Sequence, residues 1–158
     1  MGLAKALFSG PLALDIFLQF ANKVPFYGAV VVSLDDPAVQ SLIPRLKRRF
    51  VTFGTAAQAD VSILEPSIAG PGSTFTLRFN GGTTQRIELR VPGMHNVSNS
   101  LAAIAVAREL DIDLEVIRKA LREFSGVQRR FQVKGEARGV MVVDDYGHHP
   151  TEVRATLA

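Results

Sequence analysis

Cysteine is absent from the 158 residues, which removes disulfides, thiolate nucleophiles and cysteine-ligated zinc in one step. Any metal would have to be held by oxygen or imidazole ligands. No apolar run approaches the roughly 20 residues that a membrane span requires, so no membrane insertion is expected. Residues 1–14 are apolar-rich with one lysine, Lys5, but show no small-residue cleavage site behind an apolar core. No secretory leader is expected, and the reading is cytoplasmic. Neither G-x-x-x-x-G-K-[ST] nor G-x-G-x-x-G after a strand occurs, so nothing in these residues cradles a triphosphate unaided. Gly70-Pro71-Gly72-Ser73 lacks the lysine of such a loop and reads as a turn. Charge of one sign is scarce as well, at a net +3. The one basic cluster, Arg45-Leu46-Lys47-Arg48-Arg49, lacks the interleaved aromatics of a nucleic-acid surface. It reads as a solvated helix end, and no nucleic-acid partner is expected.

What remains is the composition of a globular chain, 47% hydrophobic and 21% charged. Its length suits one domain, or an incomplete domain with a piece of another. Ala13, Ile16, Phe17 and Phe20 recur at helical spacing opposite Asp15, Gln19, Asn22 and Lys23, which predicts an amphipathic helix ended by Pro25. Residues 28–34 form a Val/Ala run suited to a strand buried on both faces of a parallel sheet. Residues 39–46 and 50–53 continue as helix and strand, giving a unit of α/β type. From 60 to 91 the pattern alternates between Gly-containing turns, the signature of antiparallel hairpins, with Asn80-Gly81-Gly82 as one turn. A buried helix is expected over 101–107, and another, capped by Asp113, along Leu114, Ile117, Leu121 and Phe124. Two strands then flank a 135–139 turn, and Pro150 opens a last helix.

Polar groups concentrate at element ends, where a rigid scaffold positions side chains that ligands can still reach. Asn96 and Asn99 sit three apart at a helix start and so share a face. Their carboxamides offer the donors and acceptors that an adenine edge or a ribose requires, although one of them could simply cap the helix. Arg129-Arg130 follows Gly126, and a guanidinium fork suits phosphate. Asp144-Asp145-Tyr146-Gly147-His148-His149-Pro150 continues a buried-looking strand of Val140, Met141, Val142 and Val143. A single metal ion held by both histidines is disfavoured, because adjacent side chains diverge.

Taken in order, Gly93-Met94-His95-Asn96-Val97-Ser98-Asn99, Gly126-Val127-Gln128-Arg129-Arg130-Phe131-Gln132 and Asp144-Asp145-Tyr146-Gly147-His148-His149-Pro150-Thr151-Glu152 resemble the Mur ligase family. Pro25-Phe26-Tyr27-Gly28 and Asp35-Asp36-Pro37 extend the similarity over about residues 8–158. The resemblance implies an α/β fold in two parts. Residues 1–125 would be the later part of a central ATPase domain, a mixed sheet with helices. Residues 126–158 would be the first strand and helix of a C-terminal dinucleotide-fold domain. It implies ATP-dependent ligation of L-alanine to UDP-N-acetylmuramate through an acyl phosphate, with Mg²⁺, in peptidoglycan synthesis. By motif, Asn96 and Asn99 would meet the adenine side of ATP, and Arg130, the catalytic candidate, its terminal phosphate. Asp145 would meet the nucleotide from the third domain, and His148 and His149 would lie near the nucleotide or the incoming substrate. No metal ligand is assigned. The phosphate loop and magnesium ligands are expected upstream of residue 1, and residues 1–7 do not follow the family pattern. The chain alone is therefore expected to be inactive. Two alternatives stay open: a tripeptide-adding ligase of the same nucleotide sugar, which more often has Phe and Ala at positions 146 and 147, and a nucleotide-binding module without catalysis. No feature of the sequence sets an oligomeric state.

Overall fold

The computed structural model describes residues 11–157 apart from 71, 81 and 83. Lys5, Phe8 and Gly81 of the expected Asn80-Gly81-Gly82 turn lie outside the described residues. The chain opens with helix α1 (Pro11–Ala21), strand β1 (Val30–Ser33), helix α2 (Pro37–Leu42), a 3₁₀ turn (Ile43–Arg45) and strand β2 (Phe50–Gly54). Asp36 caps α2, its Oδ1 accepting the N–H groups of Ala38 at 2.7 Å and Val39 at 3.2 Å, while Pro37 fills the first helical position. β1 and β2 run parallel, Val30 opposite Phe50, as a strand, helix, strand unit dictates.

β3 (Val61–Ala69) joins β2 in parallel, then pairs antiparallel with β4 (Gly72–Phe79), which pairs with β5 (Thr84–Leu89). The result is a five-stranded mixed sheet in sequence order. Alternation decides its faces: Phe75 opposite Ile87 and Leu77 opposite Ile63 point into the core. Helices α3 (Met94–Glu109) and α4 (Leu114–Glu123) cover that face with Val97, Leu101, Ile104 and Ile117. Asp113 caps α4 as expected, accepting Glu115 N–H at 2.8 Å. A separate hairpin, β6 (Gln132–Ala137) and β7 (Val140–Asp144), precedes helix α5 (Pro150–Leu157). Both strands that the residue pattern placed around the 135–139 turn are present, one more than the first strand and helix that the resemblance implied. No helix among the described residues is long and apolar enough to cross a membrane.

Three sequence expectations need correction, the first at β7, where Val140, Met141 and Val142, read as part of a buried strand, are each more than half exposed. The four residues of β1 are half-buried, because the strand lies at the sheet edge with only β2 beside it among the described residues. On α1, Ala13 and Leu18 are buried while Ile16, Phe17 and Phe20 are exposed, Phe20 at 74%. The helix meets the rest of the described chain through a narrower strip than its apolar pattern implies. The basic cluster is exposed, as a solvated segment requires, and its arginines also pair at the surface: Arg45 with Asp15 at 2.7 Å, Arg48 Nε with the Asn22 carbonyl at 3.1 Å, and Arg49 with Glu109 of α3.

Candidate functional site

α3 starts at Gly93, whose φ of 95° is costly for other residues and whose missing Cβ makes room for the His95 imidazole, 2.7 Å from where that atom would lie. From this start Asn96, Asn99, Ser100 and Ala103 share one face of the helix and line a cavity of about 670 Å³. This face explains why Ala103 is exposed although it lies inside the apolar run 101–107. Leu89, Leu121 and Phe124 supply an apolar wall, and Arg130, Asp145 and Glu152 close the opposite side. Arg130 also borders a neighbouring cavity of about 800 Å³.

The two carboxamides are not equivalent. Asn96 Nδ2 donates to the Pro92 carbonyl at 2.7 Å and so secures the helix start. Asn99 is exposed and makes no side-chain hydrogen bond among the described residues, which leaves its whole amide to a ligand. The alternative that one Asn is the helix cap is not what is found, since the capping position is Gly93.

Between α4 and β6 the chain takes left-handed backbone at Gly126 (φ 98°), Arg129 (60°) and Phe131 (45°). Conformations unfavourable for Arg and Phe persist when surrounding bonds over-determine them. Here Asp145 Oδ2 accepts Phe131 N–H at 2.8 Å, its Oδ1 accepts Gly147 N–H at 2.6 Å, and Tyr146 N–H donates to the Arg129 carbonyl at 2.7 Å. Arg129 lies over the Tyr146 ring, 4.6 Å from its centre, and points away from a ligand role. Arg130 is turned into the cavity, its Nη1 3.6 Å from Glu152 Oε1. Asn96, Asn99, Arg130 and Asp145 are thus brought to one cavity, whereas His148 and His149 are not among its lining residues.

Sequence reasoning missed Glu152, which stands three residues after His149 at the start of α5 and reaches back to the N–H groups of His148 (3.3 Å) and His149 (3.4 Å). The signal was present: an acidic residue at the third helical position commonly returns to the capping residue's amide.

Residues 14–107 match the Mur ligase middle domain, and residues 129–158 match the Mur ligase glutamate ligase domain. The chain belongs to the Mur ligase family. It is 57% identical over 141 residues to the UDP-N-acetylmuramate–L-alanine ligase of Solibacter usitatus, covering 89% of this chain and 30% of that protein. It is 52% identical over 143 residues to the enzyme of the same name from Syntrophobacter fumaroxidans, again spanning 30% of that relative. Among solved structures, MurF from Acinetobacter baumannii superimposes with a TM-score of 0.83 at 26% identity, over 96% of this chain and 33% of that one. The UDP-N-acetylmuramate–alanine ligase of Thermotoga maritima gives 0.72 at 29% identity, over 99% of this chain and 35% of that one.

In this Mur ligase chain the site geometry shifts its carboxyls. The N–H groups of Phe131 and Gly147 hold Asp145 below the ordinary carboxylate range, with Arg130 adding to the effect. Those of His148 and His149 do the same for Glu152. In the sheet, burial pushes Asp60 up, but the Thr52 N–H and hydroxyl and the Asn80 amide outweigh it and bring it down. Folding therefore favours the ionised forms. Their contribution is present above the unfolded values near 4 and is lost as pH falls through the lower folded values. Thermal melts are expected to lose stability steeply below about pH 4.5, and less steeply in Asp60→Asn.

Proposed function

We propose that this chain supplies the adenine-facing and terminal-phosphate-facing wall of the ATP site in an enzyme that joins L-alanine to UDP-N-acetylmuramate through an acyl phosphate, in the cytoplasm. The observation that carries this reading is the convergence of Asn96, Asn99, Arg130 and Asp145 on one cavity of about 670 Å³. That volume falls within the range of small-molecule sites. Leu89, Leu121 and Phe124 suit the face of a base, and Asn99 suits its polar edge or the ribose. Arg130 suits a phosphate whose charge grows during transfer, which makes it the catalytic residue of this chain. Asp145 fixes the segment carrying Arg130 and adds a carboxylate from the other side of the cavity.

The left-handed stretch at 126–131 separates the two units, residues 1–125 and 126–158, each belonging to one domain of the complete enzyme. His148 and His149, outside the cavity, are assigned to the substrate side of the reaction. Tyr146 and Gly147 favour the alanine-adding reading over the tripeptide-adding one, which more often has Phe and Ala at these positions. ATP fits the residues present, and when bound it supplies the phosphoryl group. No magnesium ligand is assigned among the described residues. The magnesium ligands and the phosphate loop belong elsewhere in the complete enzyme.

Calorimetric titration and an ADP-release assay on the 158-residue protein test this reading. Weak binding of both ATP and adenosine is expected, with dissociation constants in roughly the millimolar range because the triphosphate finds one arginine and no loop of N–H donors. No ADP release is expected. Micromolar ATP binding would favour a self-sufficient nucleotide module, and ADP release that depends on Asn99 and Arg130 would overturn the division of the site.

A further inference from the structure

Glu152 is the one charged residue of the cavity wall to which the ATP reading gives no role. Its two oxygens face different ways. Oε2 accepts the His148 and His149 N–H groups at 3.3 and 3.4 Å, and lies 3.7 Å from His148 Nδ1. Oε1 lies 3.6 Å from Arg130 Nη1. That separation exceeds a hydrogen bond, so charge attracts the guanidinium while its N–H donors stay open to another acceptor.

The other acidic group of the wall, Asp145, has already accepted two backbone N–H groups, one from each oxygen. The backbone on either side of Arg130 is fixed, at Arg129 by Tyr146 N–H and at Phe131 by Asp145. What remains adjustable is the Arg130 side chain, and Glu152 is the partner that directs it. The Arg130 side chain keeps half of its surface exposed, so a ligand entering the cavity can reach it.

We propose that Glu152 is the internal counter-ion of Arg130: it keeps the guanidinium aimed into the cavity while no phosphate is there, yields it to the phosphate of a bound nucleotide, and so sets the site's preference for phosphorylated over unphosphorylated nucleosides. The proposal rests on the nucleotide reading above. With Glu152 in place the wall sets one guanidinium against two carboxylates, Asp145 and Glu152, and so repels an incoming anion. Glu152→Gln keeps an oxygen for the two backbone N–H groups and removes only the charge, leaving Arg130 balanced by Asp145 alone and a wall less repulsive to phosphate.

The test is titration of the uniformly ¹⁵N-labelled 158-residue protein with ATP, adenosine and inorganic tripolyphosphate. Backbone amides and the Arg130 Nε–H resonance are followed in the natural protein, Glu152→Gln, Arg130→Ala and the double variant. Glu152→Gln is expected to bind ATP and tripolyphosphate about five-fold more tightly, with adenosine affinity unchanged within about two-fold. The gain is expected to fall to about half or less in the Arg130→Ala background. The Arg130 Nε–H resonance is expected to move in Glu152→Gln before any ligand is added. An unchanged or lowered preference for ATP over adenosine, an equal gain in both backgrounds, or an unmoved Arg130 resonance would overturn the proposal. Absence of adenosine binding would refute the nucleotide reading instead, and tripolyphosphate and the Arg130 resonance would still decide the role of Glu152.

Discussion

Phe75→Ala is expected to cost about 3–5 kcal/mol, the range for removing a large side chain from a packed core. Phe75 is fully buried and lies opposite Ile87 at the centre of the β4 and β5 pairing. Its core cluster includes Val97, Leu101 and Ile104 of α3, the helix that carries Asn96 and Asn99 on its other face. Domains of this size hold only about 5–15 kcal/mol in total. The melting temperature should therefore drop by roughly 10 °C or more. The functional consequence follows from geometry: with α3 loosened from the sheet, the Asn99 carboxamide loses its fixed position. Thermal unfolding followed by circular dichroism measures the drop, and a change of under about 2 °C would mean that this core does not hold α3.

Asp145→Ala is expected to weaken adenosine and ATP binding at least about ten-fold while leaving the five-stranded sheet intact. The Asp145 carboxylate takes the N–H groups of Phe131 and Gly147. Without it, Phe131 loses the bond that most directly fixes its left-handed conformation, where φ is 45°. Release of this residue moves Arg130, its neighbour, out of register with the Asn99 side of the cavity. Asp145→Asn is expected to be intermediate, since a carboxamide oxygen can accept one of the two N–H groups while the amide nitrogen cannot accept the other. Amide hydrogen exchange should show faster exchange at 129–131 and 146–147, and unchanged protection in β3, β4 and β5. Unchanged exchange at 129–131 would sink the idea that Asp145 holds the segment.

Much of the site was legible because its residues fall in ordered motifs at element ends. Gly93 through Asn99 specifies both a helix start that needs glycine and a face that carries two amides. Which amide is free was not legible, because it depends on the Pro92 carbonyl lying within reach of Asn96 and not of Asn99. Glu152 escaped notice for a similar reason. Its link to Arg130 depends on α5 folding back beside the left-handed segment, a contact between residues 22 positions apart that no local pattern encodes. In the sheet, alternation identified the hairpins over 60–91, and Phe75 and Leu77 fall on the core side as the period of two requires. The apolar runs of α1 and β1 specified faces fit for burial. What covers such a face is a property of its neighbours, so Phe20 stands exposed and β1 stands at an edge.

The central claim is that one cavity, walled by α3 on one side and by the segment around Arg130 and Asp145 on the other, receives the adenine nucleoside. Intermolecular nuclear Overhauser effects between adenosine and the ¹³C,¹⁵N-labelled protein test it most directly. The account predicts cross-peaks from the adenine H2 and H8 protons to the Asn99 carboxamide and to the Leu121 and Phe124 side chains. Cross-peaks confined to residues outside this cavity, such as the exposed face of α1 at Ile16, Phe17 and Phe20, would contradict it.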